Sequence, residues 1–297
     1  MPLRRTRLRP FFIALTTLAI AACEDTLTTS FADLPNGATA DLGTTVRDEV
    51  EAAVSGLTMS TSLDPLGTAQ APGAYALACV TPSTPADSDG DGVPDDATYL
   101  FTAPPCNFTG WRGGTLELVG QLRIQDPAPA AAGFGYDATL SRLLTRFTSG
   151  DGKIIYDVRR DGTRLLSGNI NSLSLTSNLQ LTRTFVGKSD AEVSQEWTLA
   201  YTPATPLQIN TPLPSGSFVI TGTSGGGSLD WTRGTEHFVL TVVTTTPLHY
   251  NADCTDTVQR IDAGELRLSG TFDDRNGTVL VRWSECGEEP SYAFDAS

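Results

Sequence analysis

Histidine is nearly absent from this chain, and cysteine never occurs at metal-ligand spacing. Of 297 residues only His237 and His249 are histidine, and no Cys-x-x-Cys is present. Zinc sites are built from closely spaced groups of this kind, so the pattern argues against a zinc centre. Basic residues are also few: 20 Lys and Arg stand against 34 Asp and Glu, a formal net charge of −14. That balance removes the basic surface a nucleic-acid backbone needs and the polybasic patch that grips anionic lipid. No Gly-x-Ser-x-Gly elbow marks a hydrolase serine. The glycine run Ser224-Gly225-Gly226-Gly227-Ser228 leads into Leu229-Asp230-Trp231, which reads as strand, so it is a turn and not a phosphate loop. No apolar run reaches the roughly 20 residues of a spanning helix, and no repeat of constant period is visible.

What is present begins at the N-terminus. Arg4, Arg5, Arg7 and Arg9 precede an apolar stretch from Phe11 to Ala22, closed by small residues. A basic start, a short apolar core and small residues before a cut make residues 1–22 a secretory signal peptide. The ending Ile20-Ala21-Ala22-Cys23 resembles the lipobox of bacterial lipoproteins. That resemblance covers about the first two dozen residues and implies a diacylglyceryl group on the Cys23 thiol, with Cys23 left as the acylated N-terminus. The alternative is an ordinary secreted protein in which Cys23 is incidental. Removal of residues 1–22 takes four arginines, leaving 16 basic against 34 acidic residues, or −18. Membrane attachment would therefore come from lipid and not from charge, and two or more acyl chains anchor stably where one does not. Glu24 after the cysteine differs from the aspartate of the enterobacterial inner-membrane retention signal, which leans the expected location toward the outer membrane.

Four cysteines remain: Cys79, Cys106, Cys254 and Cys286. In an exported chain an even number reads as two disulfides, with three possible connectivities. Cys79–Cys106 and Cys254–Cys286 are favoured because each pair is close in sequence and flanks a candidate loop or hairpin.

The hydrophobic fraction of 39% with 18% charged residues is sufficient for a packed core. Residues 23–43 read as a lipidated, polar tether. A helix is expected over 45–56, capped by Thr45, with Val46, Val50, Ala53, Val54 and Leu57 at helical spacing. Its other face carries Asp48, Glu49 and Glu51, so it should lie with one side on the protein's own sheet. Residues 44–112 thus hold the helix and an acidic loop, and 113–297 form a β domain, the two making one folding unit. From 113 onward the period is two. Leu173, Leu175, Leu179 and Leu181 alternate with Ser174, Thr176, Asn178 and Gln180, and Val193, Trp197, Leu199 and Tyr201 share one face. Such segments are half-buried strands. Turn signals fall at Ser149-Gly150-Asp151-Gly152, Asp161-Gly162 and Asn276-Gly277. About ten long strands without crossover helices predict a mainly β fold. The expected form is an antiparallel meander making a strongly curved sheet or open barrel, with a β-sandwich as the alternative. A transmembrane barrel has similar strands, but the lipobox and the polar C-terminal residues Asp295-Ala296-Ser297 oppose it.

The sharpest local motif is Asp87-Ser88-Asp89-Gly90-Asp91-Gly92-Val93-Pro94-Asp95-Asp96. Carboxylates at relative positions 1, 3, 5 and 9, with glycine at 6, match the spacing of a calcium loop. The run is similar to the calcium-binding repeats of thrombospondin type 3. On that resemblance Asp87, Asp89, Asp91 and Asp95 would be side-chain ligands, and Val93 would offer its carbonyl, for a structural Ca2+. Position twelve is Thr98 and not a carboxylate, which lowers the expected affinity. The alternative is a solvated acidic loop.

Catalytic patterns are otherwise thin. Glu236-His237 falls in a strand with His237 facing away from Phe238 and Leu240, and His249 is expected in a loop. Trp197 and Trp283 are in phase with apolar neighbours and read as core, whereas Trp111 and Trp231 are undetermined. The expectation is a lipid-anchored envelope protein without a catalytic residue. It would bind a hydrophobic small molecule or an envelope partner through a curved sheet. The alternatives are an envelope hydrolase using carboxylates and a structural surface lipoprotein.

Overall fold

The computed structural model describes residues 38–57, 80–81, 86–109, 114–209, 211–223, 225–254, 260–272 and 275–296. Residues 1–22, expected to be a signal peptide, together with Cys23, Cys79 and Trp111, lie outside them. Helix α1 (Ala38–Ser55) is followed by β1 (Val80–Thr81), β2 (Asp96–Thr109), β3 (Thr115–Gln125), β4 (Tyr136–Thr148), β5 (Ile154–Asn169) and β6 (Ser172–Arg183). Then come β7 (Ala191–Pro203), β8 (Gly216–Thr221), β9 (Gly227–Arg233), β10 (Glu236–Tyr250), β11 (Ile261–Phe272), β12 (Arg275–Trp283) and β13 (Ser291–Ala296). All the strands belong to one sheet in which every pairing is antiparallel and chain neighbours pair, except β8 and β9. The fold is thus a mainly β meander with one N-terminal helix. A single continuous sheet replaces the sandwich alternative.

The alternation seen in the sequence is realised strand by strand. On β6, Leu173, Leu175, Leu179 and Leu181 are buried while Thr176, Asn178 and Gln180 face solvent. On β7, Val193, Trp197, Leu199 and Tyr201 are buried against exposed Glu192, Ser194 and Glu196. The outward face of these strands is polar, the reverse of the apolar band that lipid requires. The inward faces join one core that runs from Leu118 and Leu140 through Leu199 and Leu240 to Val281.

Strands β8 and β9 occupy one position in the sheet. Both pair with β7 and with β10, β8 against Thr198–Pro203 and β9 against Glu192–Glu196. They are two halves of one strand, interrupted where the glycine run stands. A side chain at Gly227 would crowd the Cβ of Trp197 at 2.7 Å, so the interruption needs a residue without one. Two expected turns also lie elsewhere. Asp161-Gly162 is inside β5, where the Asp161 carboxylate accepts the Arg142 amide at 2.7 Å. Asn276-Gly277 is inside β12, because Phe272 already pairs with Arg275.

Helix α1 begins seven residues before Thr45, whose hydroxyl donates to the Asp41 carbonyl at 2.7 Å inside the helix and does not cap it. Val46, Val50, Ala53, Val54 and Leu57 are buried as the spacing predicts, and Leu42, one turn earlier, is buried with them, each large side chain contributing roughly 1.5–3 kcal/mol. The acidic side is covered too: Glu49 is 0% exposed and Glu51 9%. Partners of α1 come from β4, β5, the end of β6, β9 and β13. Both flanks of the strand order therefore curve round to the same helix. A Cβ at Gly43 would overlap the ring of Tyr292 on β13, and the Tyr136 hydroxyl on β4 donates to the Gly56 carbonyl at 2.7 Å. The helix packs on the inward face of the sheet, its apolar residues part of the same core.

Candidate functional site

Two groups of carboxylates stand out, one inside the fold and one at its edge. The inner group is carried by α1. Strand β5 turns Val158, Arg160, Arg164 and Leu166 toward the core, and both arginines are 1% exposed. Arg160 donates to Glu49 through Nη2 at 2.5 Å and Nε at 3.2 Å. Arg164 Nη2 lies 3.7 Å from the same carboxylate, and its Nη1 reaches the Ala52 carbonyl at 3.4 Å. Asp48 pairs with Arg183 at the end of β6 and with Arg47. Asp41 takes both Lys188 and Arg233, and Arg233 also holds Glu236 at 2.8 Å. Buried charges of this kind hold only when paired and hydrogen-bonded. Burial also lifts the Tyr136 phenol far above its ordinary range, against a smaller opposing pull from Arg164. The sequence reading missed these arginines, although Arg160 and Arg164 stand in phase with Val158 and Leu166, where an apolar residue is the rule.

The outer group is the acidic loop. Asp87, Asp89 and Asp91 present ligand oxygens within 4.8 Å of one another. The loop's own amides hold them: Gly90 and Gly92 donate to Asp87 at 2.8 and 3.0 Å, Asp91 to Asp89 at 3.1 Å, and Val93 to Asp91 at 2.8 Å. The Gly133 amide closes on the other Asp91 oxygen at 3.1 Å, fixing the loop to the β3–β4 connection. Asp91 is 1% exposed. Burial pushes its carboxyl above the ordinary range against the Val93 and Gly133 amides, and Asp89 and Asp126 add repulsion. Asp95 is placed differently: its oxygens accept the Ser88 amide at 2.8 Å and the Ser88 hydroxyl at 2.5 Å, which holds its carboxyl below the ordinary range. The structure therefore brings together three of the four expected side-chain ligands. The Val93 residue is buried at the loop's inner end.

The three-carboxylate geometry fits a hard divalent cation in one further respect. The Asp89 Oδ2 is buried without a hydrogen-bond partner, which is costly unless a donor or cation meets it. Asp87, Asp89 and Asp91 would hold such an ion.

Cys254 and Cys286 form a disulfide, with Cα atoms 5.9 Å apart, tying the end of β10 to the segment after β12. Cys106 lies in β2 opposite Leu118. Its expected bridge to Cys79 falls outside the described residues. His249 is not in a loop but in β10, where its Nδ1 meets Asp262 at 2.6 Å and Asn251 holds the other Asp262 oxygen at 2.8 Å. A register shift between His249 and Tyr250 re-aims Asp262 to that face. Ser217 stands opposite His249 on β8, yet the two share no hydrogen bond and the imidazole is half exposed. The arrangement lacks the nucleophile–base contact that hydrolysis uses. His237 pairs with Asp230 at 3.0 Å on the solvent face. Trp197, Trp231 and Trp283 are buried, and Trp231 stacks on Phe238 with centroids 4.9 Å apart. These three are core residues and not ligand platforms. Among the described residues no helix is long and apolar enough to cross a membrane.

Comparison with known proteins assigns no family: no family model matches the chain, and neither a curated protein nor a solved structure is similar to it.

Proposed function

We propose that this is a lipid-anchored, non-catalytic protein of the cell envelope, held to the outer membrane by acylated Cys23 and engaging an envelope partner through its β domain. The observation that carries the reading is Ile20-Ala21-Ala22-Cys23 standing fourteen residues, 24–37, ahead of α1. A chain of that length reaches at most about 50 Å, so the domain would work close to the bilayer. The concave face is where a carrier would hold a hydrophobic molecule. Its occupation by α1 favours contact through the outer surface and the loops over an enclosed small ligand. The carboxylates of α1 are engaged by arginines, which also weighs against a hydrolase built on them. On the same reading the acidic loop is a structural calcium site held by Asp87, Asp89 and Asp91, and the ion would offset their repulsion.

The test is metabolic labelling with a palmitate analogue, followed by membrane fractionation. The parent should be labelled and sediment with the outer membrane. Cys23→Ser should lose the label and leave either unprocessed precursor or soluble protein. A Cys23→Ser chain that still partitions and labels like the parent would reject the anchor.

A further inference from the structure

Four polar side chains meet on the concave face with nothing in the protein to satisfy them. Ser177 on β6 is 0% exposed, Gln195 and Trp197 on β7 are 1%, and Trp231 on β9 is 0%. The Ser177 hydroxyl, both ends of the Gln195 amide, and the Nε1 groups of Trp197 and Trp231 all lack a hydrogen-bond partner. The pairing register gathers them. Ser177 stands directly opposite Trp197, and Gln195, two residues along the same face of β7, stands between Leu179 and Leu229. Trp231 is two residues from Leu229 and opposite Val193. Each of Ser177, Trp197 and Trp231 is therefore a diagonal or same-face neighbour of Gln195, within reach of long side chains.

One unpaired atom in a core of this size would be unremarkable. Five on adjacent strands are not, because a buried donor or acceptor that loses water without replacement destabilises the fold. The set comprises two indole N–H donors, an amide that donates and accepts, and a hydroxyl that does both. It carries no charge of its own. Polar atoms at neighbouring positions on adjacent strands that do not bond to one another can be bridged by a molecule of one oxygen atom, which makes two to four hydrogen bonds.

We propose that Ser177, Gln195, Trp197 and Trp231 enclose an internal hydration site, one or two ordered water molecules bridging the two indoles through Gln195. The Gln195 amide is the hub: its carbonyl accepts from one water and its NH2 donates to the next. In the sheet this site joins β6, β7 and β9 at the place where the glycine interruption brings Gly227 against Trp197.

The experiment is water–protein NOE spectroscopy on the full chain labelled with 15N-tryptophan. The indole signals would be assigned by their loss in Trp197→Phe and Trp231→Phe. The Nε1–H protons of Trp197 and Trp231 should each show a cross-peak to a long-lived water, and these should persist in Ser177→Ala, which removes the exchangeable hydroxyl as a relay. Gln195→Met should erase both cross-peaks and lower the melting temperature by roughly 2–4 °C. Absence of cross-peaks at both indoles in the parent would overturn the proposal. So would a Gln195→Met chain that melts higher than the parent, the behaviour of a dry site relieved of an unpaired amide. A small organic molecule released on denaturation in stoichiometric amount would replace water as the occupant and equally overturn it.

Discussion

The acids of α1 and the acids of the 87–95 loop are opposite solutions to the same problem. Asp41, Asp48 and Glu49 lie in or against the core, and each is met by at least one guanidinium from the sheet. Asp87, Asp89 and Asp91 stand within 4.8 Å of one another and are met by backbone amides. In the first region charge is matched across the fold by residues more than a hundred positions away. In the second, charge accumulates along ten residues and is met by the loop's own amides and by one amide from the β3–β4 connection, that of Gly133. The first arrangement fixes where a helix sits. The second leaves residual repulsion that an added cation could remove.

The largest effect should come from breaking the inner match. Glu49→Ala leaves Arg160 and Arg164 facing a void where their carboxylate was, and should destabilise the domain by about 3–5 kcal/mol in denaturant melts. Replacing the set together, as Glu49→Leu/Arg160→Met/Arg164→Met, should recover most of that loss, since apolar residues of similar volume fill such sites well. If the triple variant is no more stable than Glu49→Ala, the ion pairs are not what positions α1. Next in size is the Cys254–Cys286 bridge. Closing a loop of 32-residue separation contributes about 3.7 kcal/mol in the chain-entropy model. Cys254→Ser/Cys286→Ser should lower stability by up to that amount, and an unchanged midpoint would mean that the unfolded chain is little constrained by the bridge.

The outer region should respond to ions where the inner one does not. Calcium at a hundredfold excess over Kd should stabilise the domain by about 2.7 kcal/mol if it binds only the folded chain. Thermal melts with millimolar calcium and with chelator measure this, and Asp87→Asn/Asp89→Asn should abolish the difference. Coincident curves for the parent would leave a solvated acidic loop.

The smallest effect is a pH dependence in chelator. The folded state raises the Asp91 carboxyl above its ordinary range, so the native state binds more protons than the unfolded state between the two values. Stability from this group is present at low pH and lost as pH rises through the raised value. The melting temperature of Asp91→Asn relative to the parent should therefore climb from about pH 4 upward and then level off. A flat difference would show that the Val93 and Gly133 amides fully offset burial.

Legibility in the sequence followed the range of the interaction. Alternating residues such as Leu173 to Leu181 announce a strand because the pleat itself has period two, and that signal is clearest in β6 and β7, whereas β4 buries Leu143, Leu144 and Thr145 in succession. Asp161-Gly162 and Asn276-Gly277 misled because an Asx-Gly pair signals a tight backbone by local chemistry alone, whereas in the fold both pairs hydrogen-bond in register within long strands, Gly162 opposite Leu179 and Gly277 opposite Gly270. The helix was found but its start was not, since Thr45 has the chemistry of a cap, although Ala38 and Leu42 continue the stripe of Val46 and Val50 at four-residue spacing and are buried with it. His249 looked like loop because its flanking residues are turn formers, whereas cross-strand pairing holds it in β10.

By itself the sequence determined a β meander, one amphipathic helix, a cysteine pair at 254 and 286, and an acidic loop with calcium-like spacing. Each of these is written in residues near one another in the chain, where period and spacing translate directly into geometry. Only the tertiary structure decided that the helix is enclosed on its acidic side as well. It also decided that β8 and β9 share one strand position, and that Asp95 turns to Ser88 and not to its fellow carboxylates. Those outcomes depend on the curvature of the whole sheet and on charges more than a hundred residues apart, such as Glu49 and Arg160. No local pattern carries that information, because a carboxylate on a helix reads as solvated until an arginine is known to face it.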